Sequence, residues 1–171
     1  MYKRGDIITI LTHGDPNFEK IGGFMMKIKM KKVLFICHGN ICRSPMAEFV
    51  FKSLVKKAGR ENEFLIDSAA TSTEEIGNRM HNGTRTKLRQ MNIPFTEHRA
   101  RQITIDDYED WDFLICMDRN NLRNMQRILG NDDEHKFHLL LEYAGENRDI
   151  ADPWYTGNFN QTYDDIVKGC T

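Results

Sequence analysis

From Val33 onward the chain alternates short, continuous apolar runs with longer stretches of helical spacing. The runs are Val33-Leu34-Phe35-Ile36, Phe64-Leu65-Ile66, Phe113-Leu114-Ile115-Cys116 and Phe137-His138-Leu139-Leu140. Uninterrupted hydrophobicity of this length predicts strands buried on both faces. Residues 45–58 carry Met46, Phe49, Val50, Leu54 and Val55 on roughly one side, which predicts an amphipathic helix. A second helix is predicted over 81–91, stopped by Pro94. A third runs over 120–129, with Asp118 as its cap and Gly130 as its stop. Tyr163, Ile166, Val167 and Cys170 fall at i, i+3, i+4 and i+7, so the sequence ends inside an amphipathic helix. Strands alternating with helices predict an α/β domain with a parallel sheet covered on both faces.

Residues 1–30 stand apart from this rhythm. They hold one short β-like run, a Gly14-Asp15-Pro16-Asn17 turn signal and a Gly22-Gly23 pair. They read as a loosely attached extension, with Met25, Met26 and Met30 as alternative starts, ahead of a domain over 31–171. Ile7-Ile8-Thr9-Ile10-Leu11 is too short for the core of a signal peptide. No stretch approaches the ~20 apolar residues of a membrane span. Lysine plus arginine number 24 against 25 acidic residues, a balance that argues against bulk binding of nucleic acid or anionic membrane. Four cysteines in 171 residues do not suggest a disulfide scaffold. Cys37 and Cys116 each end an apolar run, as reduced thiols do, and a cytoplasmic location is expected.

Chemistry concentrates where the first strand ends. In open α/β sheets ligands bind beyond the carboxyl ends of the strands. There the chain reads Cys37-His38-Gly39-Asn40-Ile41-Cys42-Arg43-Ser44-Pro45, of the form C-x5-R-S. Pro45 suits the first position of a helix and Ser44 its N-cap. Gly39 and Asn40 tolerate the left-handed backbone that a tight curl needs. Amide N–H groups converging at a helix N-terminus form an oxyanion cradle. That environment, with a guanidinium beside it, favours the thiolate, the reactive form of cysteine. Arg43 offers a planar fork that grips two phosphoryl oxygens at once. Zinc binding by Cys37 and Cys42 lacks the second ligand pair that a structural site needs.

Breaking a phosphate ester at such a loop also requires a proton for the leaving oxygen. Asp152, held extended by Pro153 and followed by Trp154 and Tyr155, is the best candidate. Its two aromatic neighbours can flank an aryl leaving group.

Over residues 31 to 170 the chain resembles the low-molecular-weight protein tyrosine phosphatase family. The resemblance rests on residues 37–45, Asp67-Ser68-Ala69-Ala70-Thr71-Ser72, Ala100-Arg101-Gln102-Ile103, Cys116-Met117-Asp118 and Asp152-Pro153-Trp154-Tyr155 with Gly157-Asn158, in that order. It implies a four-stranded parallel sheet flanked by helices on both faces, a flavodoxin-like three-layer sandwich. It implies hydrolysis of protein phosphotyrosine and small aryl phosphates through a cysteinyl-phosphate intermediate, without metal or cofactor. Cys37 would be nucleophile, Arg43 phosphate clamp and Asp152 general acid and base. The phosphate loop would comprise His38, Gly39, Asn40, Ile41, Cys42, Arg43 and Ser44. Hydrogen-bond support would come from Asn40, Ser44, Ser68 and His98. Cys42 would form a reversible disulfide with Cys37. The expected partner is a phosphotyrosine protein, with no nucleic acid and no membrane insertion, and the enzyme is expected to be a monomer.

Three departures modify this reading. Glu74 stands where some relatives place an aromatic, which shapes a substrate groove of Ile41, Glu74, Trp154 and Tyr155 that disfavours acidic peptides. Trp154 replaces the more usual tyrosine or phenylalanine after Asp-Pro. The final helix is short, which leaves its apolar stripe less covered and open to weak self-association. Protein-arginine phosphatases share the loop but tend to carry threonine at the position of Ile41. Arsenate reductases need further cysteines, and residues 68–110 contain none. His81, His135 and His138 read as surface or packing residues, His38 as a donor of its backbone N–H, and Asp118 chiefly as a helix cap.

Overall fold

The computed structural model describes residues 30–171; the extension expected over 1–30 lies, but for Met30, outside the described residues. Four strands, β1 (Lys31–Cys37), β2 (Phe64–Ala70), β3 (Phe113–Cys116) and β4 (Phe137–Leu139), form one sheet in the order β2-β1-β3-β4. Every pairing is parallel, with Phe35 opposite both Ser68 and Ile115. β1 is central, and its last five residues are buried. That requires the apolar run read from the sequence, because a central strand meets protein on both faces.

Alternation along β1 divides the core. Val33, Phe35 and Cys37 face one apolar layer, and Leu34 and Ile36 the other. The first layer is covered by α1 (Arg43–Lys57) and α6 (Phe159–Cys170), with α2 (Asn82–Gln90) packed against both. The second is covered by α3 (Asp106–Asp110) and α4 (Arg119–Leu129), through residues such as Trp111, Met125 and Leu129. A four-residue helix, α5 (Pro153–Thr156), precedes α6.

α1 carries only a weak sequence stripe because it is enclosed on most sides, with eleven buried residues including Met46, Phe49, Val50 and Phe51. α6 approaches the 3-10 turn Leu140–Ala144 so closely that a Cβ on Gly169 would lie 2.6 Å from Leu140 Cγ and 2.9 Å from its carbonyl oxygen. The apolar stripe of α6 is therefore covered: Ile166 and Cys170 are fully buried and Tyr163 and Val167 pack on the core. The expectation of an uncovered stripe is corrected, since α1 and the 3-10 turn supply the missing neighbours. The short helices α3 and α5 had no apolar period to announce them.

Strand order places β2 on one side of β1 and β3 on the other. The loop after β1 thus sits at the reversal of chain direction, where doubly wound sheets leave a crevice.

Candidate active site

Cys37 closes β1, and α1 begins at Arg43, so the intervening loop must turn within five residues. Asn40 makes the turn with φ 57°, a left-handed backbone that asparagine tolerates better than most residues. Its amide N–H donates to Cys37 Sγ at 3.2 Å. Its carboxamide Nδ2 donates to Ser44 Oγ and to Ser68 Oγ, each at 2.9 Å, while Oδ1 accepts from the Arg101 amide at 3.2 Å. His98 Nε2 meets the Asn40 carbonyl at 2.8 Å. One fully buried side chain thus ties the loop to α1, to β2 and to the segment after α2.

Ser44 is not the helix cap that its position suggested. α1 starts two residues earlier than Pro45, and no side chain caps it. The Ser44 hydroxyl turns inward to lie 3.0 Å from Cys37 Sγ. The amides of the first turn are thereby left for an anion, which is the arrangement a phosphate cradle requires.

Arg43 is buried, with 2% of its side chain exposed. Nη1 donates to Asp118 Oδ2 at 2.5 Å and to the Ile150 carbonyl at 2.9 Å, and Nη2 to Asp152 Oδ2 at 2.7 Å. Its Nε has no partner. Burial alone would lower the Arg43 pKa, but the combined pull of Cys37, Asp152 and Asp118 raises it, so its charge is secure. Asp118 also accepts from the Asn121 amide at 2.7 Å. It caps α4, as read from the sequence, and in addition orients Arg43.

Asp152 caps α5 by accepting from the Trp154 amide at 3.0 Å through Oδ1, leaving Oδ2 for Arg43. Trp154 and Tyr155 beyond it are 57% and 83% exposed, large aromatics without apolar cover. Trp154 meets His81 edge-on at 5.9 Å, and His81 stacks on Phe159 at 5.2 Å. The histidine also caps α2 through Nδ1. His138 packs among Phe113 and Tyr143, and burial lowers its pKa.

The His38 side chain pairs with Glu74, Nε2 to Oε2 at 3.0 Å, both exposed to solvent. Ile41 and Cys42 are buried in the loop. Burial pushes the Cys42 thiol up to about 12, with Cys37 and Asp152 adding to the effect. All four cysteines are free thiols.

Glu48 was not singled out in the sequence. It is a buried carboxylate that accepts from Ser68 Oγ at 2.6 Å and from Lys52 Nζ at 2.5 Å, with His98 Nδ1 at 3.9 Å. Its signal was a lone charge in the apolar run Pro45-Met46-Ala47-Glu48-Phe49-Val50-Phe51. Arg101, held by Asp107 at 3.0 and 3.1 Å, gave no comparable local signal.

Fold and loop together define an α/β protein with a buried thiol at the end of the central strand, in a loop that runs into a helix N-terminus, and with a buried arginine there paired to two carboxylates. Comparison with known proteins narrows this class. The family model for low molecular weight phosphotyrosine protein phosphatase matches residues 32–171, and the chain belongs to that family. It is 41% identical over 143 residues to the low molecular weight protein-tyrosine-phosphatase YfkJ of Bacillus subtilis, covering 82% of this chain and 92% of the relative. The YfkJ crystal structure superposes with a TM-score of 0.80, over 83% of this chain and 91% of that one. The low molecular weight phosphotyrosine protein phosphatase of Gallus gallus is 42% identical over 147 residues, covering 83% and 92% of the two chains. The crystal structure of a Drosophila arginine phosphatase is also similar, at 33% identity, TM-score 0.73 and coverage of 82% and 93%.

Proposed function

We propose that the protein hydrolyses phosphotyrosine in protein substrates, and small aryl phosphates, through a cysteinyl-phosphate intermediate. The observation that carries this reading is the convergence on Arg43: buried, it touches both Asp118 and Asp152, and the loop that it closes also holds Cys37. The phosphoryl group enters the amide cradle, and its oxygens take the Arg43 donors, Nε among them. Cys37 Sγ then attacks phosphorus in line with the ester oxygen. Asp152, displaced from Arg43 by the phosphate, protonates the departing phenolate. In the second step the same carboxylate removes a proton from water, which attacks phosphorus and frees the thiolate. Catalysis resides chiefly in positioning and charge stabilisation, as phosphoryl transfer demands.

Asn40, Ser44, Ser68 and His98, together with Glu48, fix the loop geometry. Trp154 and Tyr155 form one wall for the aryl ring, with Ile41 and Glu74 across from it. Cys42, protonated at rest, acts only after a peroxide has taken two electrons from the Cys37 thiolate, leaving a sulfenic acid and an alcohol or water: its thiol then condenses with the S–OH, forming the disulfide and releasing water.

Similarity to the Drosophila arginine phosphatase supports a second substrate reading, phosphoarginine. The exposed aromatic pair beside Asp152 favours the aryl ester. The test is hydrolysis of p-nitrophenyl phosphate and of phosphotyrosine, phosphoserine and phosphoarginine peptides in EDTA, with Cys37→Ser as control. Turnover of the aryl substrates that vanishes in the variant is expected. A preference for phosphoarginine would overturn the substrate, and full activity of the variant would overturn the mechanism.

A further inference from the structure

A second, basic groove shares His98 with the support of the phosphate loop. A groove of about 310 Å³ is lined by Arg79, Met80, Arg85, Arg89, Phe95, Thr96, Glu97 and His98. Three guanidiniums face a single carboxylate there. That carboxylate is already shared, since Glu97 meets Arg79 at 3.5 Å and Arg99, outside the groove, at 2.8 Å. Arg85 and Arg89 stand at i and i+4 on α2, where like charges repel. Among the described residues neither meets a carboxylate. Arg85 binds the Asn82 side chain, its buried Nε has no partner, and Arg89 lies over the Phe95 ring at 5.4 Å. A buried guanidinium donor without an acceptor is costly unless an anion satisfies it. Met80 and Phe95 add an apolar wall beside the charges.

We propose that this groove binds a small organic phosphate, its dianion on Arg85 and Arg89 and its apolar body against Phe95 and Met80. His98 gives the site a route to the catalytic loop. It is one of the residues that line the groove, and its imidazole contacts the Asn40 carbonyl at 2.8 Å, with Glu48 on its other nitrogen side at 3.9 Å. An occupant therefore acts on the geometry of the loop without entering it. This second step rests on the phosphatase reading, whereas binding itself does not.

Inorganic phosphate and phenylphosphonate are suitable probes, titrated into isotope-labelled full-length protein and followed by amide NMR. Two sets of shifts are expected, one at 39–44 and one at Arg85, Arg89 and Thr96. Arg43→Ala should remove the first set and keep the second. R85Q/R89Q should weaken the second set by roughly tenfold or more and spare the first; Arg89→Gln alone, at an exposed position, guards against a folding defect. Phenylphosphonate should bind the second site more tightly than phosphate. Shifts confined to the catalytic loop, or α2 shifts that disappear with Arg43→Ala, would overturn the site. In kinetics, phosphate should show a component that alters kcat and is lost in R85Q/R89Q. Purely competitive inhibition, unchanged by that substitution, would overturn the link through His98.

Discussion

Replacing Asn40 by alanine tests the loop architecture most directly. The side chain is fully buried and makes three hydrogen bonds, to Ser44, Ser68 and the Arg101 amide. Its loss removes all three bonds, at a net cost of about 1 kcal/mol each. Alanine at φ 57° adds about 1 kcal/mol of backbone strain. The sum, roughly 4 kcal/mol, is a large share of the 5–15 kcal/mol that a domain of ordinary stability holds. Asn40→Gly loses the same bonds without the strain, so it should recover about 1 kcal/mol relative to alanine. Urea unfolding of the three proteins, read alongside aryl phosphate hydrolysis, measures both contributions. Alanine should lower kcat steeply, because the Asn40 amide at Sγ and the Ser44 hydroxyl lose their registration. A destabilisation below about 1 kcal/mol with normal kcat would show that the loop is held by something other than this side chain.

Four further outcomes are expected. Asp152→Ala should slow substrates with poor leaving groups more than activated ones; equal slowing across a leaving-group series would remove Asp152 as the proton donor. Arg43→Lys should reduce kcat/KM by about a hundredfold or more, since an ammonium keeps the charge but cannot hold Asp118 while presenting a planar fork to the phosphate; near-normal kinetics would contradict that. Gly169→Ala should destabilise by about 1–2 kcal/mol in chemical denaturation, overpacking against Leu140 exceeding the gain in helix propensity; a stabilised variant would mean that α6 shifts freely. Acid should weaken the fold through Asp107 and Asp165: both carboxyls sit below the ordinary aspartate value, Asp107 because Arg101 and local hydrogen bonds outweigh its burial, and Asp165 chiefly through its hydrogen bond to Arg148. Such groups contribute stability above the unfolded value of about 4 and lose it as pH falls through their lower folded values. Urea midpoints measured down through that range should fall less steeply in Arg148→Ala; an unchanged acid slope would refute the assignment.

The order of elements and the position of the catalytic loop were legible in the sequence, because both depend on near neighbours. An apolar run too short for a helix, a Gly-Asn curl and a C-x5-R spacing are local facts, and β1 and α1 follow from them. The caps of α4 and the stop at Gly130 were legible for the same reason. The partners of Arg43 were not: Asp118 and Asp152 lie 75 and 109 residues away. Only the sheet order brings the ends of β1 and β3 side by side and sets the acid segment over them. Ser44 likewise looked like a helix cap until folding offered its hydroxyl a buried sulfur and an amide instead. Glu48, a lone charge in an apolar run, and the Arg85–Arg89 pair on α2 gave the sequence reading nothing to single out. Their meaning depends on what packs above them, and burial of that kind is a property of the assembled chain.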